Sequence, residues 1–123
     1  MTQLIQYRGA VYRLATSTRL YRTARTCNNR PGLFWTPDVE YARYIHPDAA
    51  VCVADLATNA RTQHFPGSPD KTLITELLAQ HDLDVAIFDV WDWDTTEYVV
   101  LNPAVLTRVN TAPAKPLRST RTI

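Results

Sequence analysis

Three short blocks of the 123-residue chain contain the side chains whose types and order are best suited to chemistry. The first is LYRTAR at 20–25, the second is GLFWTPDVEYARYI at 32–45, and the third is TEYVVLNPAVLTRV at 96–109. They supply, in order, an arginine, several hydroxyl side chains and a glutamate. A guanidinium presents a rigid fork of donors that matches phosphate, and a carboxylate can stabilise positive charge that develops in a reaction.

A second group of acidic side chains precedes the third block. Asp89, Asp92, Asp94 and Glu97 place four carboxylates within nine residues, which could bind Mg²⁺ as in a metal-dependent nuclease. The spacing matches no known metal loop, and turns commonly collect aspartates. The three histidines share no spacing, and the chain has no serine nucleophile elbow, phosphate loop or dinucleotide glycine fingerprint. We therefore expect no metal site.

The net charge of +1 conceals an uneven distribution. Residues 1–30 carry six arginines and no acid, residues 31–97 carry all 12 acids against three basic residues, and residues 98–123 carry four basic residues and no acid. Two explanations are open. The basic and acidic segments could pair within the fold, or a basic wall could face an anionic ligand such as a phosphate or a nucleic acid.

The first half of the chain is predicted to form strands and then a helix. Residues 4–14 and 19–23 are rich in Tyr, Val, Leu and Ile and lack helix caps, so each is predicted to be a strand. A loop rich in Asn, Pro and Gly leads to a third, short strand at 33–35. Thr36 is a suitable N-cap and Pro37 a suitable first residue for the helix that follows.

The second half adds a helix and further strands. Residues 50–57 form an apolar run of strand length, and residues 58–69 are predicted to be irregular and mobile. Asp70 is expected to cap a second helix that ends near His81. Later strands are predicted at 84–91, 97–101 and 104–109. This mixture predicts an α+β fold.

Length and composition indicate one domain over residues 1–109, with a flexible basic tail over residues 110–123. Charges interrupt the N-terminal region where a signal peptide would be apolar, and no window is apolar enough for a membrane span. We therefore expect a cytoplasmic protein with no membrane contact. Cys27 and Cys52 are too few for a disulfide scaffold, so two reduced thiols are expected, with Cys52 in the core.

Taken in order, the three blocks resemble the ADP-ribosyltransferase family, in particular its small bacterial and phage members. In that family an early strand supplies an Arg or His, a second strand followed by a helix supplies a Ser, Thr or Tyr, and a late strand begins with the catalytic Glu. The resemblance covers about residues 19–109. It implies a split β-sheet core with two short helices and a cleft that binds NAD as a substrate. It also implies cleavage of the nicotinamide-ribose bond, as in toxins and phage effectors.

The resemblance assigns roles to five residues. Glu97 matches the catalytic glutamate, and its carboxylate would stabilise the oxocarbenium-like transition state formed as nicotinamide leaves. Arg22 matches the first-strand arginine that would hold a phosphate or the nicotinamide ribose, and Thr23 beside it is assigned to NAD binding. Thr36 would support the glutamate or touch the ribose. Tyr41 would lend an aromatic face to the nicotinamide ring or lie in the core.

Three points stay open at this level. Arg8 competes with Arg22, because the family often writes its first motif as Tyr-Arg-Gly and residues 7–9 have that sequence. Thr95 stands where arginine-modifying members have Glu two residues before the catalytic Glu, so protein arginine is not the favoured acceptor. The acceptor could be water, a protein or a nucleic acid. The alternative function is a non-catalytic phage-type inhibitor that binds an acidic protein or nucleic acid.

Overall fold

A computed structural model describes residues 4–7, 10–14, 18–79 and 82–112. The described residues form nine strands and two α-helices, so the predicted α+β class is confirmed. The strands are β1 Leu4–Tyr7, β2 Ala10–Leu14, β3 Thr18–Ala24, β4 Leu33–Trp35, β5 Ala50–Leu56, β6 Arg61–Phe65, β7 Val85–Val90, β8 Thr95–Val100 and β9 Leu106–Ala112, and the helices are α1 Val39–Ile45 and α2 Lys71–Ala79. Short 3₁₀ turns span Trp91–Trp93 and Pro103–Val105. No helix in this part of the chain is long and apolar enough to cross a membrane.

The larger sheet has six strands in the order β1-β2-β6-β7-β8-β4. Its β6 and β7 are parallel, and its other neighbours are antiparallel. The prediction of one strand over residues 4–14 is wrong, because this segment pairs with itself, Leu4 opposite Arg13 and Tyr7 opposite Ala10. The prediction that residues 58–69 are irregular is also wrong, because β6 lies within them. An alternating pattern is the same in one long strand and in a hairpin, so periodicity could not separate them.

The smaller sheet has three strands in the order β3-β5-β9. The predicted tail begins three residues too early, because Asn110 to Ala112 continue β9 and pair with Val53 to Val51 of β5. An edge strand needs partners for its backbone more than apolar side chains, so its polar sequence did not reveal it. Arg108, at φ 55°, stands where the register shifts between Val53 and Asp55, which marks a β-bulge. Residues 113–123 lie outside the described residues.

The two sheets enclose the main core, and α2 covers a second one. Between the sheets, Leu20 and Cys52 of the smaller sheet pack with Trp35 and Val85 of the larger sheet. On the opposite face of the larger sheet, Leu77 of α2 packs with a separate cluster that includes Ala86, Phe88 and Val99. Asp70 caps α2 as predicted, since its Oδ1 accepts a hydrogen bond from the backbone N–H of Leu73 at 2.8 Å.

A disulfide joins Cys27 to Cys52, with the two Cα atoms 5.5 Å apart, so the prediction of two reduced thiols is wrong. Cys52 is fully buried in β5, as predicted, and Cys27 lies in the loop that follows β3. The bond ties this loop to the central strand of the smaller sheet. Because β3 and β5 are antiparallel neighbours, the chain after β3 returns beside β5, a proximity that two isolated cysteines in a sequence do not reveal.

Candidate active-site cavity

A cavity of about 160 Å³, here called the central cavity, lies where the two sheets meet. A single bridge joins the sheets at this point, with the Tyr21 and Thr36 backbones exchanging hydrogen bonds of 2.7 and 2.9 Å. The cavity is lined from β3, β4, α1 and β8. Its walls include all five residues to which the sequence assigned a role, Arg22, Thr23, Thr36, Tyr41 and Glu97. These residues are up to 75 positions apart in the chain, and the fold brings them to one place.

Two larger cavities adjoin the central one. The Trp91 cavity, of about 460 Å³, shares Tyr41 and Glu97 with it and continues along Asp89 to Asp92 and residues 67–69. The Arg25 cavity, of about 710 Å³, shares Arg22, Thr23 and His46 with it. The three cavities therefore follow one another along the surface, with four of the five predicted site residues at their junctions and Thr36 in the central cavity alone.

Glu97 is a half-buried carboxylate held by a tyrosine. It is the third residue of β8, opposite Phe88 of β7, and does not begin the strand as predicted. The Tyr41 hydroxyl donates a hydrogen bond to it. Burial raises the pKa of Glu97, and the hydrogen bond from Tyr41 opposes part of that rise by favouring the anion. The carboxylate is thus only partly solvated, and the Tyr41 hydroxyl is its neighbour in the cavity.

Tyr41 owes its place to the start of α1. The N-cap is Asp38, whose Oδ1 accepts hydrogen bonds from the backbone N–H groups of Glu40 at 3.0 Å and Tyr41 at 3.2 Å, so the prediction of Thr36 as the cap is wrong. The Tyr41 ring packs against Trp93 at 5.5 Å between centroids. Burial first, and then the charge of Glu97, raise the pKa of Tyr41, so its hydroxyl remains a donor. Tyr41 contacts Glu97 as well as being available to a ligand.

Arg22 faces Glu97's cavity from the smaller sheet, in register with Cys52 of β5. Its Nη1 is buried and has no hydrogen-bond partner in the part of the chain that the structure describes. Its Cζ lies 5.7 Å from the centroid of the Trp35 ring, within the range of a cation–π contact. Burial first, and then the nearby charge of Arg30, lower the pKa of Arg22. A half-buried cation with a spare donor is suited to an anionic ligand.

The two threonines are occupied in positioning α1. The buried Thr23 donates a hydrogen bond from Oγ1 to the Ala42 carbonyl at 2.6 Å. Thr36 Oγ1 accepts a hydrogen bond from the backbone N–H of Asp38 at 3.1 Å. Both side chains hold the helix that carries Tyr41 against β3 and β4. Their assignment to NAD binding remains a prediction.

Trp35 and His46 are among the residues of the central cavity to which the sequence assigned no role. Trp35 is 1% exposed, and its Nε1 has no hydrogen-bond partner within the described ranges. Only its place in the second block, directly before Thr36, could have drawn attention to it. Arg8 lies outside the described residues, so the choice between Arg8 and Arg22 as the NAD-binding arginine stays a prediction.

The acidic segment from Asp89 to Glu97 is arranged differently from a metal centre. His64 Nε2 and Asp89 Oδ1 lie 2.9 Å apart across the β6–β7 pair. Within the described ranges, no three His, Cys, Asp or Glu side chains are arranged to hold a metal ion. Asp94 adopts a left-handed conformation, at φ 49°, and ends the 3₁₀ turn that follows β7.

Comparison of the chain with protein-family models, curated proteins and solved structures finds no significant match. What the central cavity does must therefore be inferred from its residues.

Proposed function

We propose that this protein is an NAD-dependent ADP-ribosyltransferase, or an NAD glycohydrolase when water is the acceptor, of the toxin or phage effector type. The observation that carries the proposal is one juxtaposition in the central cavity. A half-buried carboxylate, Glu97, lies there beside the Tyr41 hydroxyl, and a half-buried guanidinium, Arg22, has no hydrogen-bond partner at Nη1 among the described residues. The anion and the cation match the two charges that NAD cleavage requires the protein to accommodate.

The proposed chemistry breaks the bond between C1′ of the ribose and the nicotinamide nitrogen. The electron pair leaves with nicotinamide, and positive charge develops on the ribose. The Glu97 carboxylate stabilises that charge, which is greater in the transition state than in bound NAD. An acceptor hydroxyl, amine or water then bonds to C1′ and loses its proton to solvent. Arg22 contributes by holding the phosphate or ribose of NAD in place.

The adjoining cavities support a ligand of dinucleotide size. NAD is larger than the central cavity of about 160 Å³, and the Arg25 and Trp91 cavities extend that space in two directions. The first lies beside Arg22 and the second beside Glu97. An ADP-ribosyltransferase-like split-sheet core is part of this proposal, and the two sheets of the described residues are compatible with it.

The test is incubation of the purified protein with NAD while free nicotinamide is measured, because this step does not depend on the acceptor. We expect release that requires Glu97. Repeating the reaction with labelled NAD and a mixture of proteins or nucleic acid distinguishes transfer from hydrolysis. No NAD binding at millimolar concentration, together with tight binding of an acidic protein or nucleic acid, would establish the non-catalytic alternative instead.

A further inference from the structure

Two buried donors of the central cavity have no hydrogen-bond partner among the described residues. The first is Nη1 of Arg22, and the second is the indole Nε1 of Trp35. The Trp35 side chain is only 1% exposed. Buried polar groups are nearly always hydrogen-bonded, and leaving one without a partner is costly. Both donors belong to side chains that line one cavity, so a single ligand bound there can accept from both.

Arg22 and Trp35 are neighbours because β3 meets the end of β4. Trp35 is the last residue of β4, opposite Tyr98 of β8, and the next residue, Thr36, is bonded to β3. This bridge brings β3 against the end of β4, which puts the Arg22 guanidinium over the Trp35 ring at 5.7 Å. Both side chains line the same cavity.

The charges around these donors favour an acceptor that is itself an anion. Within the described residues, Arg19, Arg61 and Arg108 each form an ion pair with an aspartate. Arg22 forms none there, and its neighbour Arg30 adds further positive charge. Glu97, on the opposite wall, receives its hydrogen bond from Tyr41. The missing counter-charge at Arg22 is thus left to a ligand.

We propose that the Trp35 indole N–H is a ligand-binding donor that shares one phosphoryl group with Arg22. A phosphoryl group has several acceptor oxygens and a negative charge, so it can accept from both donors at once. The identity of the phosphoryl group as the diphosphate of NAD rests on the proposed function. Trp35 thereby joins Arg22 in recognising the ligand and does not take part in breaking the bond.

The experiment replaces Trp35 with benzothienylalanine, which keeps the two-ring shape and exchanges the N–H for sulfur. Binding of inorganic diphosphate and of ADP-ribose is measured by calorimetry, and thermal unfolding of the free protein is followed in parallel. We expect both ligands to bind about 10- to 100-fold more weakly, the effect of losing one hydrogen bond to a charged group. The free protein should melt no earlier than the parent, because the donor removed has no partner.

Trp35→Phe is a second variant that also lacks the donor, and it should weaken both ligands similarly if it folds. Tyr44→Phe is the control, because it removes an aromatic donor from a side chain that is 64% exposed and lines none of the three cavities. In a double-mutant cycle, Trp35→Phe and Arg22→Lys should be non-additive for diphosphate, as expected when two groups bind one ligand group.

Unchanged diphosphate and ADP-ribose affinities in the benzothienylalanine variant would overturn the proposal, as would a parent protein that binds neither. An earlier melting with unchanged affinity would mean that a water molecule or the protein partners the indole. These results are separable from those for the proposed function. A protein that binds diphosphate through Trp35 but never releases nicotinamide supports this subsite and refutes the enzyme.

Discussion

The central cavity has an acidic wall, with Glu97 and Tyr41, and a basic wall, with Arg22 and Trp35. The two walls differ in whether their polar groups already have hydrogen-bond partners. On one wall, the charge of Glu97 is met by the Tyr41 hydroxyl, and Tyr41 is itself packed against Trp93. On the other wall, Arg22 and Trp35 each present a buried donor that has no acceptor among the residues the structure describes. The carboxylate of the acidic wall thus has a hydrogen-bond partner in the protein, whereas the two donors of the basic wall have none among the described residues.

This difference separates two tasks. A wall whose donors lack partners gains its hydrogen bonds only when a ligand arrives, so it is suited to binding. A wall whose carboxylate is already held in place needs no reorganisation when charge develops beside it, so it is suited to stabilising a transition state. Substitutions on the acidic wall should therefore change turnover, and substitutions on the basic wall should change affinity.

The largest expected effect is on the acidic wall. Glu97→Gln keeps the size of the side chain and removes its charge. We expect nicotinamide release to fall by about 100- to 1000-fold, while NAD affinity stays near that of the parent, because the contact is made in the transition state. Glu76→Gln, an exposed position on α2, is the matched control. Nicotinamide release at the parent rate in Glu97→Gln would remove Glu97 from the site and the main support for an enzyme.

The next effect concerns how the basic wall is held. The Cys27–Cys52 disulfide spans 25 positions and anchors the strand that pairs with Arg22. A loop of this size predicts a loss of about 3 kcal/mol in the free energy of unfolding when the bond is removed. Urea unfolding with and without reductant measures this loss. The Cys27→Ser variant should be as stable as the reduced protein, and its stability should not change when reductant is added. Equal stability in both conditions would show that the bond does not stabilise the protein in solution.

Affinity on the basic wall should depend on one arginine in particular. Arg22→Ala should weaken NAD binding by about 1.5–3 kcal/mol, the range for hydrogen bonds to charged groups. Arg19 is a control on the same strand, since it is exposed and paired with Asp55. Arg8→Ala and Arg13→Ala should have much smaller effects when NAD binding is measured by calorimetry. The reverse ranking would move the site to the N-terminal hairpin.

Much of the fold was predictable because sequence patterns within single segments determine many of its strands and helices. The apolar run that became β5 and the capped, periodic helix α2 are determined by contacts near in sequence. Glu97 was also locatable, because a glutamate in an apolar strand after a polar turn is conspicuous. The structure added its hydrogen bond to Tyr41, which no spacing implies.

The remainder depends on contacts between distant segments. The disulfide follows from the pairing of β3 with β5, and β6 exists because β2 and β7 provide partners for a polar sequence. That the Trp35 indole N–H has no partner among the described residues is a property of the packed core, which the sequence does not show. The N-cap of α1 moved from Thr36 to Asp38 because Thr36 is bonded to β3.

The smallest expected effect tests the hydrogen bond that completes the acidic wall. Burial raises the pKa of Glu97, and the Tyr41 hydroxyl opposes that rise. If the anion is the active form, turnover is lost as the pH falls through the raised pKa, at a higher pH than for an exposed glutamate. Tyr41→Phe removes the opposing contribution, so the pKa of Glu97 rises further and the acidic limb of the turnover profile moves to higher pH. At pH 7 we expect a loss of about 2- to 10-fold, the effect of one ordinary hydrogen bond.

The stability of the folded protein has a matching sign. A carboxyl with a raised pKa holds its proton more tightly in the folded state, so its contribution to stability is greatest below the ordinary pKa and declines as the pH rises through the raised one. Tyr41→Phe should deepen this decline in melting temperature between acidic and neutral pH. Tyr44→Phe is the control, because Tyr44 is 64% exposed and packs on Trp93 at 4.9 Å. An acidic limb that stays in place, or moves to lower pH, in Tyr41→Phe would show that Glu97 is not held by Tyr41, and the two walls would no longer differ.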